Sequence, residues 1–236
     1  MRTAIVTGAA RGIGEAIARR LHADGYGVVL ADIADAGPIA SELGNRASAH
    51  ELDVRELASW EQLLLELEGD VYALVNNAAR TEFRSFWEID LDEWDDVLAT
   101  NLRGSYLGCR VVGDALREHG GGRIVNLASD AAFTASGRSG VHYAASKAGV
   151  VALTRRAATE LAPHGVTVNA VAPAAIDGPL ARSVLRDRLD EKLADIPVGR
   201  LGRPEEVAAL VSFLLSDASA YITGATFDAN GGALMR

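Results

Sequence analysis

A tyrosine and a lysine, Tyr143 and Lys147, stand four residues apart in the segment HYAASK, with only small side chains between them. Positions i and i+4 share one face of a helix, so the phenol and the ammonium are expected to lie close together. A phenol with an ordinary pKa of about 10 is a poor base at neutral pH, and a neighbouring cation lowers that value. The pair can therefore perform acid–base chemistry, although an isolated motif of this length is also typical of a solvated helix surface.

A glycine-rich segment, TGAARGIG, follows the first apolar run and opens the first predicted helix. Its glycines, Gly8, Gly12 and Gly14, permit a tight turn and close approach of the backbone to a pyrophosphate, whose charge is favoured at a helix N-terminus. A glycine-rich turn between a strand and a helix can also form without a ligand. The segment therefore predicts a dinucleotide phosphate site, with the ligand-free turn as the alternative.

The second apolar run, VVLA, is followed directly by Asp32. A carboxylate at this place can accept hydrogen bonds from both hydroxyls of an adenosine ribose, and it repels a 2′-phosphate. Arg11, in the glycine-rich segment, favours the opposite choice, because a guanidinium pairs with phosphate. We give Asp32 more weight, since a nearby arginine offsets the repulsion only in part, and we expect NAD rather than NADP.

Short apolar runs alternate with helical patterns along most of the chain. Ile13, Ile17 and Leu21, for example, are spaced to lie on one buried helix face. Nearly all-apolar strands suit a parallel sheet covered by helices on both faces. The alternation therefore predicts one doubly wound α/β domain of the Rossmann type over residues 1–236, with a mostly parallel seven-stranded sheet. The predicted strands are Thr3–Thr7, Val28–Ala31, Ala49–Leu52, Val71–Val75, Arg123–Leu127, Val166–Val171 and Thr226–Asp228.

An acidic stretch, Glu88–Asp96, stands out within this pattern. We predict that it is the solvated N-terminus of a helix, where carboxylates interact favourably with the positive end of the helix dipole.

Composition and charge argue against several classes of partner. The net charge of −9, from 23 basic and 32 acidic residues, offers no basic surface for nucleic acid. The single cysteine, Cys109, lies among apolar residues and is predicted to be a core residue, and the five histidines show no metal-ligand spacing. No apolar run approaches the ~20 residues that span a bilayer, and the chain enters a strand-like run at once. We expect a cytoplasmic protein with no membrane partner.

Six motifs occur in a fixed order along the chain: TGAARGIG, Asp53-Val54, LVNNA, Asn101 in ATNLRG, IVNLAS and YAASK. With them the whole chain resembles the classical short-chain dehydrogenase/reductase family. The resemblance implies four catalytic residues: Tyr143 as acid and base, Lys147 as its helper and a ligand of the nicotinamide ribose, Ser129 as the partner of the substrate oxygen, and Asn101 as a holder of a proton-relaying water. An asparagine that bridges backbone groups is a compatible alternative for Asn101.

The resemblance also implies how the cofactor is held. Asp53 and Val54 are expected at the adenine ring, Asn77 and Ala78 along the adenosine ribose, and Ile176 at the carboxamide. For Asp53 a polar cap at a strand end is the alternative. The full set of implied cofactor-binding residues is Gly8, Arg11, Gly12, Ile13, Gly14, Asp32, Asp53, Val54, Asn77, Ala78, Tyr143, Lys147 and Ile176.

The chain departs from the family pattern at several positions. Ala79 and Ala174 stand where the family usually has glycine, and Gly178-Pro179 replaces a usual threonine, which removes a hydroxyl contact to the cofactor. The loop Asp130–Val141 carries one residue more than is common in the family. We interpret it as an insertion near the substrate mouth.

Segment 174–197 falls where the family has its substrate-covering loop and helix. It mixes apolar and basic residues, which suits an ordinary amphipathic lid or, alternatively, a site for an acidic substrate group. Phe133, Arg138, Arg80 and His142 are candidates for the pocket lining, with a structural role preferred for His142. Family members usually assemble as tetramers through the helices that hold Tyr143 and the Asn101 region and through the C-terminal strand. We expect a homotetramer.

These features predict an NAD(H)-dependent enzyme that transfers hydride between the nicotinamide and a small secondary alcohol or ketone. A second enzymatic interpretation is a 3-oxoacyl thioester reductase, although such enzymes commonly prefer NADPH and Asp32 speaks against that. A third, from another class, is a non-catalytic NAD(H) sensor. The intact set of Asn101, Ser129, Tyr143 and Lys147 argues against a sensor, which has no need of a tuned phenol.

Overall fold

The computed structural model describes residues 1–67, 71–135, 139–178 and 193–236. In these residues seven strands form one sheet in the order β3-β2-β1-β4-β5-β6-β7, and every neighbouring pair is parallel. The strands are β1 Thr3–Thr7, β2 Gly27–Asp32, β3 Ala47–Glu51, β4 Val71–Asn76, β5 Gly122–Leu127, β6 Val166–Pro173 and β7 Thr226–Ala229. The predicted doubly wound α/β fold is confirmed.

Helices connect the strands and cover the sheet. The described helices are α1 Gly12–Ala23, α2 Gly37–Leu43, α3 Leu57–Glu66, α4 Leu91–Leu98, α5 Gly104–Glu118, α6 Val141–Leu161 and α7 Pro204–Leu215. A π-helical turn, Ala99–Arg103, joins α4 to α5, so the chain stays helical from Leu91 to Glu118. Such turns are rare and occur often at functional sites.

Two apolar layers hold the helices on the sheet. On one face Ile17 and Leu21 of α1 and Leu214 of α7 pack with strand residues and are fully buried. On the other face Trp60 of α3 and Leu116 of α5 are buried in the same way. Because both faces of the central strands are covered, those strands are mostly apolar.

The direction in which successive strands are added to the sheet reverses at β1. Strands β2 and β3 lie on one side of β1, and β4 to β7 lie on the other. In parallel α/β sheets the connections on the two sides of such a point leave opposite faces and open a crevice at the carboxyl ends of the strands. The glycine-rich segment follows β1 at this edge, and LVNNA ends β4 beside it.

The predicted strands agree with the observed ones to within two residues at either end. The largest differences are an earlier start of β3 and a later end of β6. Strand β6 runs on through Pro173 because Pro173 still pairs with Ala229 of β7. Cys109 is buried, as predicted, and burial raises the pKa of its thiol to about 12.

The acidic stretch Glu88–Asp96 agrees only in part with its prediction. Asp90 caps α4 by accepting the Glu93 N–H at 2.8 Å. Two members of the stretch are not solvated, however: the Glu93 side chain is 11% exposed and that of Asp96 is 26% exposed, and both are ion-paired. They were expected to interact with the helix dipole, and they instead interact with cations from other segments.

Within the described residues no helix is both long enough and apolar enough to cross a membrane.

Candidate active site

The predicted acid–base pair lies on α6, beneath the carboxyl end of β5. Lys147 is 3% exposed, and its Nζ donates to the Leu127 carbonyl at 2.6 Å. The same ammonium lies 5.7 Å from the centre of the Tyr143 ring. The expectation that one helix face brings the two groups together is therefore met. The helix packs tightly against the π-helical turn, since a Cβ at Gly149 would lie 2.8 Å from the Leu102 side chain.

Burial shifts both groups towards their neutral forms. Burial lowers the pKa of Lys147 to about 8. Burial raises the pKa of the Tyr143 phenol to about 12; the Ser129 side chain lowers it and the charge of Asp130 raises it. The expected lowering by Lys147 is absent from the protein alone, because desolvation of the phenol has the largest effect on its pKa. The phenol therefore holds its proton at neutral pH.

Ser129 follows β5 and is 7% exposed. Its hydroxyl donates to Asp130 Oδ1 at 3.1 Å and accepts the Ala131 N–H at 3.2 Å. The side chain thus caps a short 3-10 turn, Asp130–Ala132, and the cap fixes its position beside Tyr143. The predicted proximity of the serine hydroxyl to the phenol agrees with the structure.

Asn101 lies in the π-helical turn and is fully buried. Its Nδ2 donates to the Arg80 carbonyl at 2.9 Å and to Ser146 Oγ at 3.0 Å, and its Oδ1 accepts the Arg80 N–H at 2.7 Å. Ser146 in turn donates to the Tyr143 carbonyl at 2.7 Å. The alternative in which Asn101 bridges backbone groups agrees with these contacts, and they connect the chain after β4 to α6. A water relay through Asn101 stays a prediction.

The glycine-rich turn is locked to the end of β4. Gly8 has a φ of +63°, and a Cβ there would lie 2.8 Å from the Ala78 Cα. Asn77 Nδ2 donates to the carbonyls of Thr7 and Gly8 at 2.9 and 3.0 Å, and Thr7 Oγ1 accepts the N–H groups of Asn77 and Ala78, both at 3.0 Å. The family resemblance predicts Asn77 and Ala78 at the cofactor, and that contact stays a prediction; the structure shows that they support the glycine turn.

The first turn of α1 suits a phosphate group. Its N-cap residue, Arg11, has an extended backbone and an exposed side chain, and no side chain caps the helix. The first N–H groups of a helix have no partner within it, so those around Gly12, Ile13 and Gly14 can serve an anion. Gly12 has a φ of +61°, which favours glycine. The residues present therefore fit the pyrophosphate of a dinucleotide.

Asp32 ends β2 beside this turn. Its Oδ2 accepts the Ala10 N–H at 2.9 Å and its Oδ1 accepts the Ala34 N–H at 3.0 Å. The carboxylate therefore lies next to the glycine-rich loop, as the sequence analysis expects, and each oxygen keeps acceptor capacity beyond its single bond.

Asp53 follows β3 and is strongly ion-paired. Arg55 donates to its two oxygens at 2.9 and 2.7 Å, and this hydrogen bonding lowers the pKa of the Asp53 carboxyl. Its Oδ1 also accepts the Arg55 N–H at 3.0 Å, so Asp53 is a polar cap as well. Val54 is 7% exposed, and its carbonyl accepts the Trp60 indole N–H at 3.0 Å. Contact of Asp53 and Val54 with adenine stays a prediction.

Ile176 lies just beyond β6 and forms an isolated parallel bridge with Gly202. The Asp177 N–H donates to the Gly202 carbonyl at 2.7 Å, and the Gly202 N–H donates to the Ala175 carbonyl at 3.0 Å. This bridge fixes the backbone at the position predicted to meet the carboxamide.

Sequence reasoning missed an ion-pair network on Asp96. The Asp96 carboxylate accepts Arg55 Nη1 at 2.8 Å and is also bonded to Arg80, which contacts Glu82 at 3.5 Å. Arg80 was predicted to line the pocket; its side chain instead joins this network. Arg55 and Asp96 are far apart in the chain, so no local spacing indicates their contact.

The other residues predicted to line the pocket lie in different surroundings or outside the described residues. The Phe133 ring is covered by the Arg236 guanidinium, 3.4 Å from the ring centre, and Arg236 pairs with Asp228 at 3.1 Å. His142 is fully buried, in agreement with a structural role. Arg138 and most of the predicted lid, 179–192, lie outside the described residues.

The sequence matches known proteins along nearly its whole length. The family model described as Enoyl-(Acyl carrier protein) reductase matches residues 8–233. The chain is 38% identical to the 3-oxoacyl-acyl-carrier-protein reductase FabG of Escherichia coli strain K12, over 99% of this chain and 98% of that one. It is 40% identical to an acetoacetyl-CoA reductase of Rhizobium meliloti strain 1021, over 98% of each chain.

A solved structure gives a further comparison. A candidate NAD(P)-dependent gluconate 5-dehydrogenase from Beutenbergia cavernae, with NADP bound at low occupancy, is 37% identical to this chain. The two structures have a TM-score of 0.94, and the match covers 98% of this chain and 96% of that one.

The crowding at Gly14 generates a first prediction. A Cβ there would lie 2.0 Å from the Gly8 carbonyl oxygen and 2.6 Å from Asn77 Nδ2. Gly14→Ala is therefore expected to displace the glycine turn, to lower the free energy of unfolding by about 1–3 kcal/mol, and to weaken dinucleotide binding at least tenfold. Urea unfolding and NADH fluorescence titration measure the two effects.

Gly121→Ala is the matched control for this substitution. A Cβ at Gly121 would meet only the Gly165 carbonyl, at an ordinary 3.6 Å. We expect a stability change within about 0.5 kcal/mol and unchanged binding. Equal dinucleotide affinity in both variants would show that the turn does not hold the cofactor.

The buried ammonium generates a second prediction, on stability. The pKa of Lys147 is about 8 in the folded protein against an ordinary 10.5, so the charged form is destabilised by about 3 kcal/mol. Lys147→Met removes that cost and loses the bond to the Leu127 carbonyl. The variant is therefore expected to be about 2 kcal/mol more stable than the wild type at pH 7.

The advantage of Lys147→Met must depend on pH. Between pH about 8 and 10.5 the unfolded wild type binds more protons than the folded one, so wild-type stability rises with pH there. Urea unfolding at several pH values should show a constant difference below pH about 8 that shrinks above it. A difference independent of pH would contradict the burial of a charged lysine.

Proposed function

The chain belongs to the short-chain dehydrogenase/reductase family, and from this premise we propose that it is an NAD(H)-dependent oxidoreductase acting on a small secondary alcohol or ketone. The observation that carries the proposal is the Tyr143 phenol, held beside the Ser129 hydroxyl at the carboxyl end of the sheet with Lys147 beneath it. A half-buried acid of this kind, close to a second hydroxyl group, suits proton transfer to a carbonyl oxygen.

A bound nicotinamide dinucleotide supplies or accepts the hydride, and the chain supplies the proton and the alignment. Because the pKa of Tyr143 is raised to about 12, the phenol is protonated at neutral pH and can donate to the oxygen of a ketone. Ser129 exchanges its hydrogen bond to Asp130 for one to the same oxygen and so holds the carbonyl carbon in place.

In the opposite direction the phenol must act as a base. Its proton then has to leave while a cation is close, and Lys147 is the cation on the same helix face. We propose that Lys147 exchanges its bond to the Leu127 carbonyl for contacts with the cofactor ribose, and that Asn101 completes a proton path to solvent.

The choice of NAD rests on Asp32. Its carboxylate accepts two backbone N–H groups at the end of β2, which hold it close to the predicted ribose site. A 2′-phosphate placed there would meet like charge, whereas ribose hydroxyls would donate to it. The exposed Arg11 favours NADP, so the preference depends on these two side chains.

A second candidate function is the reduction of a 3-oxoacyl thioester. It is supported by the names of two relatives that match over the whole chain, a 3-oxoacyl-acyl-carrier-protein reductase and an acetoacetyl-CoA reductase. The chemistry at Tyr143 and Ser129 is the same for this substrate class. The two functions therefore differ only in the group attached to the ketone.

Turnover with a substrate panel tests both functions. The panel contains secondary alcohols, sugar acids, cyclic diols and acetoacetyl-CoA, each offered with NAD(H) and NADP(H) and followed at the nicotinamide absorbance band. Tyr143→Phe is expected to lower kcat at least a thousandfold and to leave dinucleotide affinity within about twofold.

Tyr106→Phe on α5 is the matched control, since Tyr106 is 48% exposed and lies outside the proposed site. It should retain full turnover. Residual activity of Tyr143→Phe near the wild-type level would overturn the proposed mechanism, and turnover confined to acetoacetyl-CoA would select the second candidate.

A separate prediction concerns the choice of cofactor. Asp32→Ser removes the repulsive carboxylate and is expected to raise kcat/KM for NADP relative to NAD at least tenfold. Asp35→Ser makes the same change of net charge at an exposed position and should leave the ratio unchanged. A ratio that responds equally to both substitutions would show that Asp32 does not contact the ribose.

A further inference from the structure

His142, the residue before Tyr143, is fully buried and uses both of its ring nitrogens. Nδ1 accepts the backbone N–H of Tyr143 at 2.9 Å, and Nε2 lies 2.9 Å from Glu93 Oε1 in α4. Because a backbone N–H can only donate, Nδ1 must be the unprotonated nitrogen, and Nε2 therefore carries the proton that Glu93 accepts. The structure thus sets a single tautomer of the ring.

The His142 ring caps the first turn of α6. The N-cap residue of α6 is Gly140, which has no side chain to accept the N–H groups of the first turn. Tyr143 is the third residue of the helix, and its N–H is one that an N-cap side chain usually binds. His142 takes that place from within the helix. A Cβ at Gly140 would lie 2.2 Å from the ring Cε1, so the absence of an ordinary cap makes room for the histidine.

Glu93 anchors the ring to a different element. Its carboxylate also accepts the Arg84 guanidinium at 2.6 Å, while its own N–H is held by Asp90. The His142 ring is therefore bonded to one anion, Glu93 on α4, and Glu93 is bonded to one cation, Arg84, from the segment before α4. Together they fix the start of α6 relative to α4.

We propose that His142 is a positioning residue for the reaction, which binds the backbone of Tyr143 and, through Glu93, sets where the phenol lies. This inference rests on the proposed function, because it assigns a role to the residue adjacent to the proposed acid. His142 touches no reacting atom; it acts through the N–H of Tyr143.

The same contacts make the positioning sensitive to protonation. Glu93 accepts from Nε2 whether the ring is neutral or charged, so that hydrogen bond is present in both forms. The Tyr143 contact is not, because a second proton on Nδ1 would point at the Tyr143 N–H and place two donors together. A ring that carries protons on both nitrogens therefore cannot accept the Tyr143 N–H, and we expect a lower kcat in that form.

Two substitutions separate the contacts of the ring. His142→Asn keeps an acceptor near the Tyr143 N–H but cannot reach Glu93 and does not titrate. His142→Gln keeps a donor for Glu93 but has no acceptor beside the Tyr143 N–H. His164→Asn, at an exposed position beyond the far end of α6, is the matched control.

Steady-state kinetics and dinucleotide titration give the main test. His142→Gln is expected to lower kcat about 10- to 100-fold while dinucleotide affinity stays within about twofold, since a small displacement of the phenol affects chemistry more than binding. His142→Asn should keep kcat within about fivefold and lose the acid-side fall of the wild-type profile. An acid limb unchanged in His142→Asn, or equal losses in both variants that follow their thermal stability, would overturn the proposal.

Amide NMR of the wild type distinguishes this failure from that of the proposed function. If no substrate is turned over, the proposed function fails, but the Tyr143 amide signal should still shift as the His142 ring titrates and should stop doing so in His142→Asn. A Tyr143 amide that ignores the titration of the ring would overturn the positioning role, whatever the substrate.

Discussion

The parallel pairing of β1 with β4 is the constraint on which the site depends. It brings the Thr7–Gly8 turn against Asn77 and Ala78 so closely that a Cβ on Gly8 would collide with backbone. The side chains of Thr7 and Asn77 form hydrogen bonds with backbone groups of the facing segment. Since the same turn starts α1, the open N-terminus of the helix is aimed by strand pairing rather than by a side-chain cap. Glycine here is a requirement of packing as much as of ligand binding.

The other end of the crevice depends on a buried charge. Lys147 gives up solvation, and its folded pKa of about 8 expresses that cost. Its Nζ is held by one carbonyl, while Ser146, the residue before it, links Asn101 to the backbone of Tyr143. Neighbouring residues of one helix thus carry the acid, its positioning and its cation. Such a site is less stable than an apolar one of the same shape, which is the usual relation between activity and stability in enzymes.

The sequence predicted the fold well because strand and helix periods record which faces are buried. Motifs also located Asn101, Ser129, Tyr143 and Lys147, which the structure brings to one edge of the sheet. What escaped prediction are contacts between segments distant in the chain. Asp96 and Glu93 looked like solvated helix-end carboxylates, yet they bind Arg55 and His142. The low pKa of Tyr143, predicted for Lys147 acting together with an oxidised cofactor, is not present in the protein alone, because desolvation depends on how deeply the folded chain encloses the ring.

Overall similarity in sequence and fold does not predict which cofactor a member of this family prefers. A structure 37% identical to this chain, with nearly the same backbone, has NADP bound at low occupancy, while this chain has a carboxylate at the end of β2. We propose that the preference depends on the local field at one ribose, to which Asp32 and Arg11, which are 21 positions apart in the chain, contribute opposite charges. We therefore expect that cofactor choice can change by one or two substitutions there without a change at the proposed proton donor, Tyr143.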